Sequence, residues 1–204
     1  MFRTHLATLL IPAALAVAPA PALAAHAMHA AHAAHAAHSD SSAANSVLDF
    51  TVRTASGDAK ALADFRGKVL LVVNTASHCG FTPQYDALEK LYLRYHERGF
   101  EILAFPANNY FHEEPGTDAE IQTFCRLKYD VTFPVFAKIS VKGRDIAPLY
   151  AYLTKRSPFP GTIGWNFNKF VIAPDGRVLA RFGARTDPMG VKLTQAIEAA
   201  LPPK

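Results

Sequence analysis

Five consecutive apolar residues, Val69-Leu70-Leu71-Val72-Val73, followed within a dozen positions by an amphipathic stretch, limit the fold more than any other feature. A run this short and unbroken suits a strand buried on both faces. After it, Thr82 is suited to cap a helix and Pro83 to occupy its first position, where a missing N–H costs nothing. Tyr85, Leu88, Leu91, Tyr92 and Tyr95 then recur at three- and four-residue steps and make one apolar face. Cys79 lies between strand and helix. Unpaired N–H groups and the helix macrodipole favour an anion there, so the reading predicts a thiol pKa lowered from about 8.5 and a reactive thiolate. The alternative is an inert cysteine in a turn.

The rest of the chain supports an α/β sandwich with a mixed sheet. Leu48 to Val52 reads as a first strand, Ser56-Gly57-Asp58 as a turn, and Leu62 to Gly67 as a connection into the buried strand. A strand from Phe100 to Phe105 follows the first helix. Thr117 and Glu120 have capping-box spacing and open a helix carrying Ile121, Phe124 and Cys125 on one face. Phe133 to Ile139 is expected to be a strand and Pro148 to Lys155 a helix. Phe170 to Ala173 and Arg177 to Phe182 flank Pro174-Asp175-Gly176, a hairpin signal. The last helix is placed at about Asp187 to Leu201.

Composition narrows the function classes. The chain has 204 residues, half of them hydrophobic, which suits one domain and a tail. Its net charge of +4 comes from scattered basic residues, which is a poor match to a nucleic-acid partner. Met1 to Ala24 has a basic start at Arg3, an apolar segment from Leu6 to Val17 and small residues at Ala22-Leu23-Ala24, the pattern of a secretory signal peptide cleaved near Ala24. The apolar segment contains Pro12 and falls short of the roughly 20 residues of a bilayer span, so no membrane anchor is expected. An exported protein, periplasmic or secreted, follows.

Residues 25–46 are dominated by Ala, His, Ser and Asn, with His26, His29, His32, His35 and His38 at three-residue intervals. A polar, disordered linker is the first reading. The second is weak metal capture, since imidazole suits Zn, Cu and Ni and an extended chain of three residues per turn aligns the five rings. That second reading would make the protein an exported copper- or zinc-binding protein. The folded domain is expected over residues 47–204.

The two cysteines, Cys79 and Cys125, are open to three readings: a structural disulfide, unrelated thiols or a redox pair. No Cys-x-x-Cys is present. Asn-Thr-Ala-Ser-His-Cys-Gly-Phe-Thr-Pro-Gln-Tyr (74–85), however, resembles the peroxidatic motif of the glutathione peroxidase family in its cysteine form. Three further segments match in order: Phe105-Pro106-Ala107-Asn108-Asn109 with Glu114-Pro115-Gly116, Phe124-Cys125 with Val131-Thr132-Phe133-Pro134, and Trp165-Asn166-Phe167-Asn168-Lys169-Phe170. Together they span nearly everything from Val47 onward.

The resemblance implies a thioredoxin-like fold, no cofactor, and a peroxidase that reduces hydrogen peroxide or organic hydroperoxides. It makes Cys79 the peroxidatic thiol, Trp165 and Asn166 its hydrogen-bond donors, and Cys125 the resolving cysteine of the thioredoxin-dependent type. A Cys79–Cys125 disulfide would then be recycled by a thioredoxin-like dithiol in preference to glutathione. Two departures stand out. Where the family usually reads Asn-Gln-Phe-Gly, this chain has Asn108-Asn109-Tyr110-Phe111, which makes Asn109 the expected replacement for a catalytic glutamine. The usual Gln-Glu-Pro-Gly is Glu113-Glu114-Pro115-Gly116, adding a charge to this loop. A further family cysteine is Ala107 here. His78 is either a charged neighbour of the nucleophile or a tolerant surface position. The short segment between Tyr129 and Thr132 lacks the assembly loop of tetrameric relatives, and a monomer is expected.

Overall fold

Every residue of β3 (Val69–Thr75) is buried, as a strand covered on both faces requires. It pairs in parallel with β4 (Phe100–Pro106), which is equally buried, and antiparallel with β5 (Lys169–Ile172). β5 pairs antiparallel with β6 (Val178–Phe182), giving a mixed four-stranded sheet of order β4-β3-β5-β6. The computed structural model describes residues 44–203. The expected leader and the five histidines of the 25–46 segment lie outside the described residues.

Side-chain alternation along the central strands divides the core in two. Leu70, Val72, Leu103 and Phe105 face one layer, formed by α3 (Pro148–Lys155) and the N-terminal segment. Val69, Leu71, Val73, Ile102 and Ala104 face the other, which contains α1 (Gln84–Tyr95), α2 (Asp118–Tyr129) and α4 (Val191–Ala200). Tyr85, Leu88, Leu91 and Tyr95, the apolar face of α1, are all buried there. Each such side chain contributes about 1.5–3 kcal/mol by leaving water. Among the described residues, no helix is long and apolar enough to cross a membrane.

The helix at Thr117 starts as expected. The Thr117 hydroxyl accepts from Glu120 N–H, and the Glu120 carboxylate accepts from Thr117 N–H. Other segments differ from expectation. Leu48 to Val52 does not form one strand: Ser46 and Asp49 make a capping box that winds Val47–Asp49 into a 3-10 turn, and only Thr51–Arg53 (β1) extends, pairing with β2 (Ala59–Ala61). Phe133 to Ile139 runs beside β4 but forms no continuous ladder with it: there is one bridge, Ala104 with Val135, and a bond from Ile139 N–H to Pro106 carbonyl at 2.9 Å. Pro134 lacks the N–H that a continuous ladder needs. The final helix begins at Val191, after a turn closed by Gly190 N–H on Asp187 carbonyl. Gly176 of the β5–β6 turn has φ +90°, and a Cβ there would lie 2.0 Å from Ser46 Oγ, so this glycine seats the N-terminal segment.

Candidate active site around Cys79

The last two residues of β3 are polar yet buried, and Asn74 shows why. Its Nδ2 donates to Trp165 carbonyl at 3.0 Å, its Oδ1 accepts from Asn168 N–H at 3.0 Å, and its carbonyl accepts from Phe167 N–H at 2.6 Å. Asn168 Nδ2 adds a second bond to Trp165 carbonyl at 2.7 Å. The segment carrying Trp165 and Asn166 is thereby fastened to the end of the strand that leads to Cys79. Phe167 holds φ +64° within it, a conformation uncommon for a bulky residue and maintained by these bonds.

Beyond β3 the chain makes successive tight turns from Ser77 to Pro83 before α1 begins. Thr82 does not cap α1, which has no side-chain cap. Its hydroxyl instead accepts from Cys79 N–H at 3.0 Å and faces the carbonyls of Ala76 and Cys79 at 2.9 and 2.7 Å, bracing the cysteine turn from inside. Phe81 N–H points back at Cys79 Sγ, 3.4 Å away.

Cys79 is 6% exposed. Burial pushes its thiol above the ordinary range, opposite to the sequence-based expectation. The Phe81 N–H draws it back, the Glu113 carboxyl raises it again by hydrogen bonding and by charge, and the Trp165 indole N–H lowers it. The helix end does not dominate because α1 starts five residues beyond the sulfur and the loss of water outweighs the dipole.

Trp165 acts on the Cys79 thiol through its indole N–H, which lowers the thiol pKa. It packs against Tyr110 and Phe111, with ring centroids 5.3 and 5.6 Å away. Asn166 is fully buried but gives its Nδ2 to Glu113 Oε2 at 2.8 Å, so its amide acts on the carboxyl beside the sulfur. Its Oδ1 is buried without a partner among the described residues. Asn109 is committed elsewhere: Nδ2 donates to Ser140 Oγ at 2.9 Å and Oδ1 accepts from Val141 N–H at 2.8 Å. The amide expected at the thiol thus fastens segment 140–142, while the residue of this loop whose carboxyl acts on the Cys79 thiol is Glu113. The signal for Glu113 was its departure from the usual glutamine; Asn74 was signalled by a polar residue closing an apolar run.

His78 is exposed, and its N–H donates to Glu113 carbonyl at 3.0 Å. Phe81, Glu113 and Trp165 open onto a cleft of about 760 Å³ whose far wall is Gly183 to Thr186. Lys169, fully buried below it, donates to Gln84 Oε1 and Phe167 carbonyl at 2.7 and 2.8 Å, and burial pushes its pKa down to about 8.

Cys125 is a free thiol in a different setting, 1% exposed on α2. Burial pushes it up to about 11; the Tyr85 hydroxyl lowers it and the Glu114 charge raises it. Among the described residues Tyr85 Oη and Thr75 Oγ1 are buried with no hydrogen-bond partner. Glu114 is itself buried, which pushes its carboxyl up to about 7 against the Ser77 hydroxyl, 3.1 Å away. Among the described residues no group of three or more His, Cys, Asp or Glu side chains is placed to hold a metal ion.

Comparison with known proteins decides the affiliation. The glutathione peroxidase family model matches residues 47–154. The chain belongs to the glutathione peroxidase family. A glutathione peroxidase of Lactococcus lactis is 48% identical over 142 residues, 69% of this chain and 90% of that protein. The glutathione peroxidase-like peroxiredoxin gpx1 of Schizosaccharomyces pombe is 46% identical over 142 residues, again 69% and 90%. The crystal structure of Trgpx in apo form superposes with a TM-score of 0.61 at 37% identity, over 76% of this chain and 97% of that one. A thioredoxin-family thiol:disulfide interchange protein from Chlorobium tepidum, at 16% identity, shares the fold alone, with a TM-score of 0.53 over 74% of this chain and 92% of that one. This glutathione peroxidase family member thus has a thioredoxin-like fold and is a thiol peroxidase.

Proposed function

We propose that Cys79 reduces hydrogen peroxide or organic hydroperoxides and that Cys125 resolves the product. The observation that carries this reading is the Phe81 N–H, 3.4 Å from the Cys79 sulfur, beside a cleft lined by Gly80, Phe81 and Trp165, whose indole N–H also lowers the thiol pKa. Donors so placed stabilise a thiolate and, later, the negative charge that develops on the departing oxygen. The sulfur attacks the terminal oxygen of the hydroperoxide, an S–O bond forms as the O–O bond breaks, and Cys79 is left as a sulfenic acid while the peroxide becomes an alcohol or water. Cys125 then attacks that sulfur, water leaves, and a Cys79–Cys125 disulfide forms. A dithiol reductant of thioredoxin type returns both thiols; the peroxiredoxin name of the fission yeast relative supports this donor over glutathione.

The same reading takes the protein to be a monomer exported by its N-terminal leader, so the reductant is an exported dithiol protein. The test is a mass measurement on the purified, reduced protein after one equivalent of peroxide. Loss of two hydrogens, mapped to a Cys79–Cys125 link, is the expected result. Cys125→Ser should consume one equivalent of peroxide and then stop with a thioredoxin donor. Normal turnover of that variant would remove Cys125 from the cycle.

A further inference from the structure

Glu113 is held by more bonds than a loop carboxylate needs. Its N–H donates to Tyr110 carbonyl at 3.0 Å, and its carbonyl accepts from His78 N–H, tying its backbone to the residue before Cys79. Its side chain accepts from the fully buried Asn166 amide at 2.8 Å, and its carboxyl raises the Cys79 thiol by hydrogen bonding and by charge. Among the described residues the bond to Glu113 is the only side-chain hydrogen bond Asn166 makes, so the amide serves to orient this carboxyl. Glu113 is half-buried and lines the same cleft as Phe81 and Trp165. A glutamine, usual at this position by family resemblance, can donate a hydrogen bond but cannot take a proton. A carboxylate can.

We propose that Glu113 is the proton carrier of the peroxidatic step, taking the Cys79 proton and delivering it to the departing oxygen. The inference rests on the peroxidatic reading of Cys79. The thiol S–H donates its proton to the Glu113 carboxylate as the sulfur attacks the terminal oxygen. The S–O bond forms with the sulfur's electron pair, the O–O bond breaks, and the alkoxide takes the proton from the Glu113 carboxylic acid. The hydroperoxide's own hydrogen stays on the sulfenic acid, so a thiol and a hydroperoxide become a sulfenic acid and an alcohol with Glu113 regenerated. Burial holds Cys79 largely in its thiol form, so a base at the sulfur has a proton to remove. The other ionisable groups near this exchange are Glu114, which follows Glu113 and faces Ser77, the neighbouring His78 and His112, and Arg185 on the far wall. None of these is among the groups acting on the thiol.

The test compares two reactions of Cys79 in the full-length reduced protein at pH 7. Oxidation by tert-butyl hydroperoxide needs a proton moved to a poor leaving group, whereas alkylation by iodoacetamide needs only the thiolate. Trp165, the chain's single tryptophan, reports the oxidation by fluorescence. Glu113→Gln should slow oxidation by about 10²-fold, the scale of general acid–base catalysis, and leave alkylation unchanged or faster because a charge opposing the thiolate is gone. In Glu113→Ala, added acetate should restore oxidation in proportion to its concentration. Oxidation of E113Q at or above the wild-type rate overturns the proposal, as does an equal slowing of both reactions, which would mark a displaced thiol. Failure of acetate to restore oxidation in an E113A protein that alkylates normally also overturns it. If the wild-type protein forms no sulfenic acid on Cys79 by mass, the peroxidatic reading itself falls, an outcome separate from a wild type that oxidises and an E113Q that matches it.

Discussion

Glu114 is 1% exposed, and its removal as a charge should be visible in stability and in reactivity together. Burial lifts its carboxyl from 4.5 to about 7, more than the Ser77 bonds and the Lys138 charge pull it down. The native state therefore holds this proton more tightly than the unfolded chain does. Stability from the neutral acid is fully present below about pH 4.5 and is lost as pH rises through about 7. At about 1.36 kcal/mol per tenfold change, the lift amounts to about 3 kcal/mol between pH 4 and pH 8. Glu114→Gln keeps an oxygen for Ser77 and removes the titration, so urea unfolding of the reduced protein should find the variant about 3 kcal/mol more stable than wild type at pH 8 and equal to it at pH 4. The same substitution removes a charge that raises the Cys125 thiol, so alkylation of Cys125 in unfolding-resistant conditions should be faster at pH 8 and unchanged below pH 6. Parallel stability curves for the two proteins from pH 4 to 8 would refute the reasoning, because they would mean that Glu114 stays solvated or finds a compensating cation.

Further expectations follow from the same contacts. Trp165→Phe preserves a ring against Tyr110 but deletes the indole donor, and stopped-flow peroxide reduction should fall by about 10²-fold as the alkylation profile moves to higher pH. Asn109→Ala should cost about 1–3 kcal/mol in urea unfolding by releasing segment 140–142, while the rate of Cys79 oxidation stays at the wild-type value. A loss of oxidation rate with unchanged stability would return Asn109 to the thiol. Cys125 is a buried free thiol on α2, and its carbonyl accepts from Val131 N–H at 3.3 Å, so bonding its sulfur to Cys79 changes the packing at the end of this helix. Hydrogen exchange over 118–129 should therefore quicken when the disulfide forms, and unchanged protection in protein shown by mass to be oxidised would place the bridge within the resting geometry.

Much of the architecture was legible because local signals and burial agree. The Val69 to Val73 run, the apolar face of α1 and the Thr117–Glu120 capping box each specify the element found. Misreadings occurred where a side chain competed with the pattern. Ser46 and Asp49 wind a stretch that alternates like a strand, and Pro134 denies the strand expected from Phe133 a continuous ladder. Thr82 has the chemistry of a helix cap, but the cysteine turn claims its hydroxyl first. None of these choices is visible in periodicity, because each depends on which backbone group is left unpaired after folding.

The sequence marked Cys79, Trp165 and Asn166 as candidate site residues, but not the charges around the sulfur. Resemblance grouped Cys79, Trp165 and Asn166, and Asn74, bonded to the Trp165 carbonyl 91 positions away, ties that segment to the strand leading to Cys79. The protonation of Cys79 could not be read the same way, because a helix N-terminus is a local feature and desolvation is a property of everything packed around the sulfur. That difference also redirects attention within the 108–114 loop. Had the helix end produced a free thiolate, an amide beside it would suffice and a carboxylate would only oppose it. With the thiol buried and protonated, the two substitutions in the loop separate: Asn109 can leave the sulfur for segment 140–142 without loss, and a carboxylate at 113 becomes an acceptor for the one proton that must move. The opposite signs expected for oxidation and alkylation in E113Q are the consequence, since the same charge that disfavours the thiolate is the group that receives its proton.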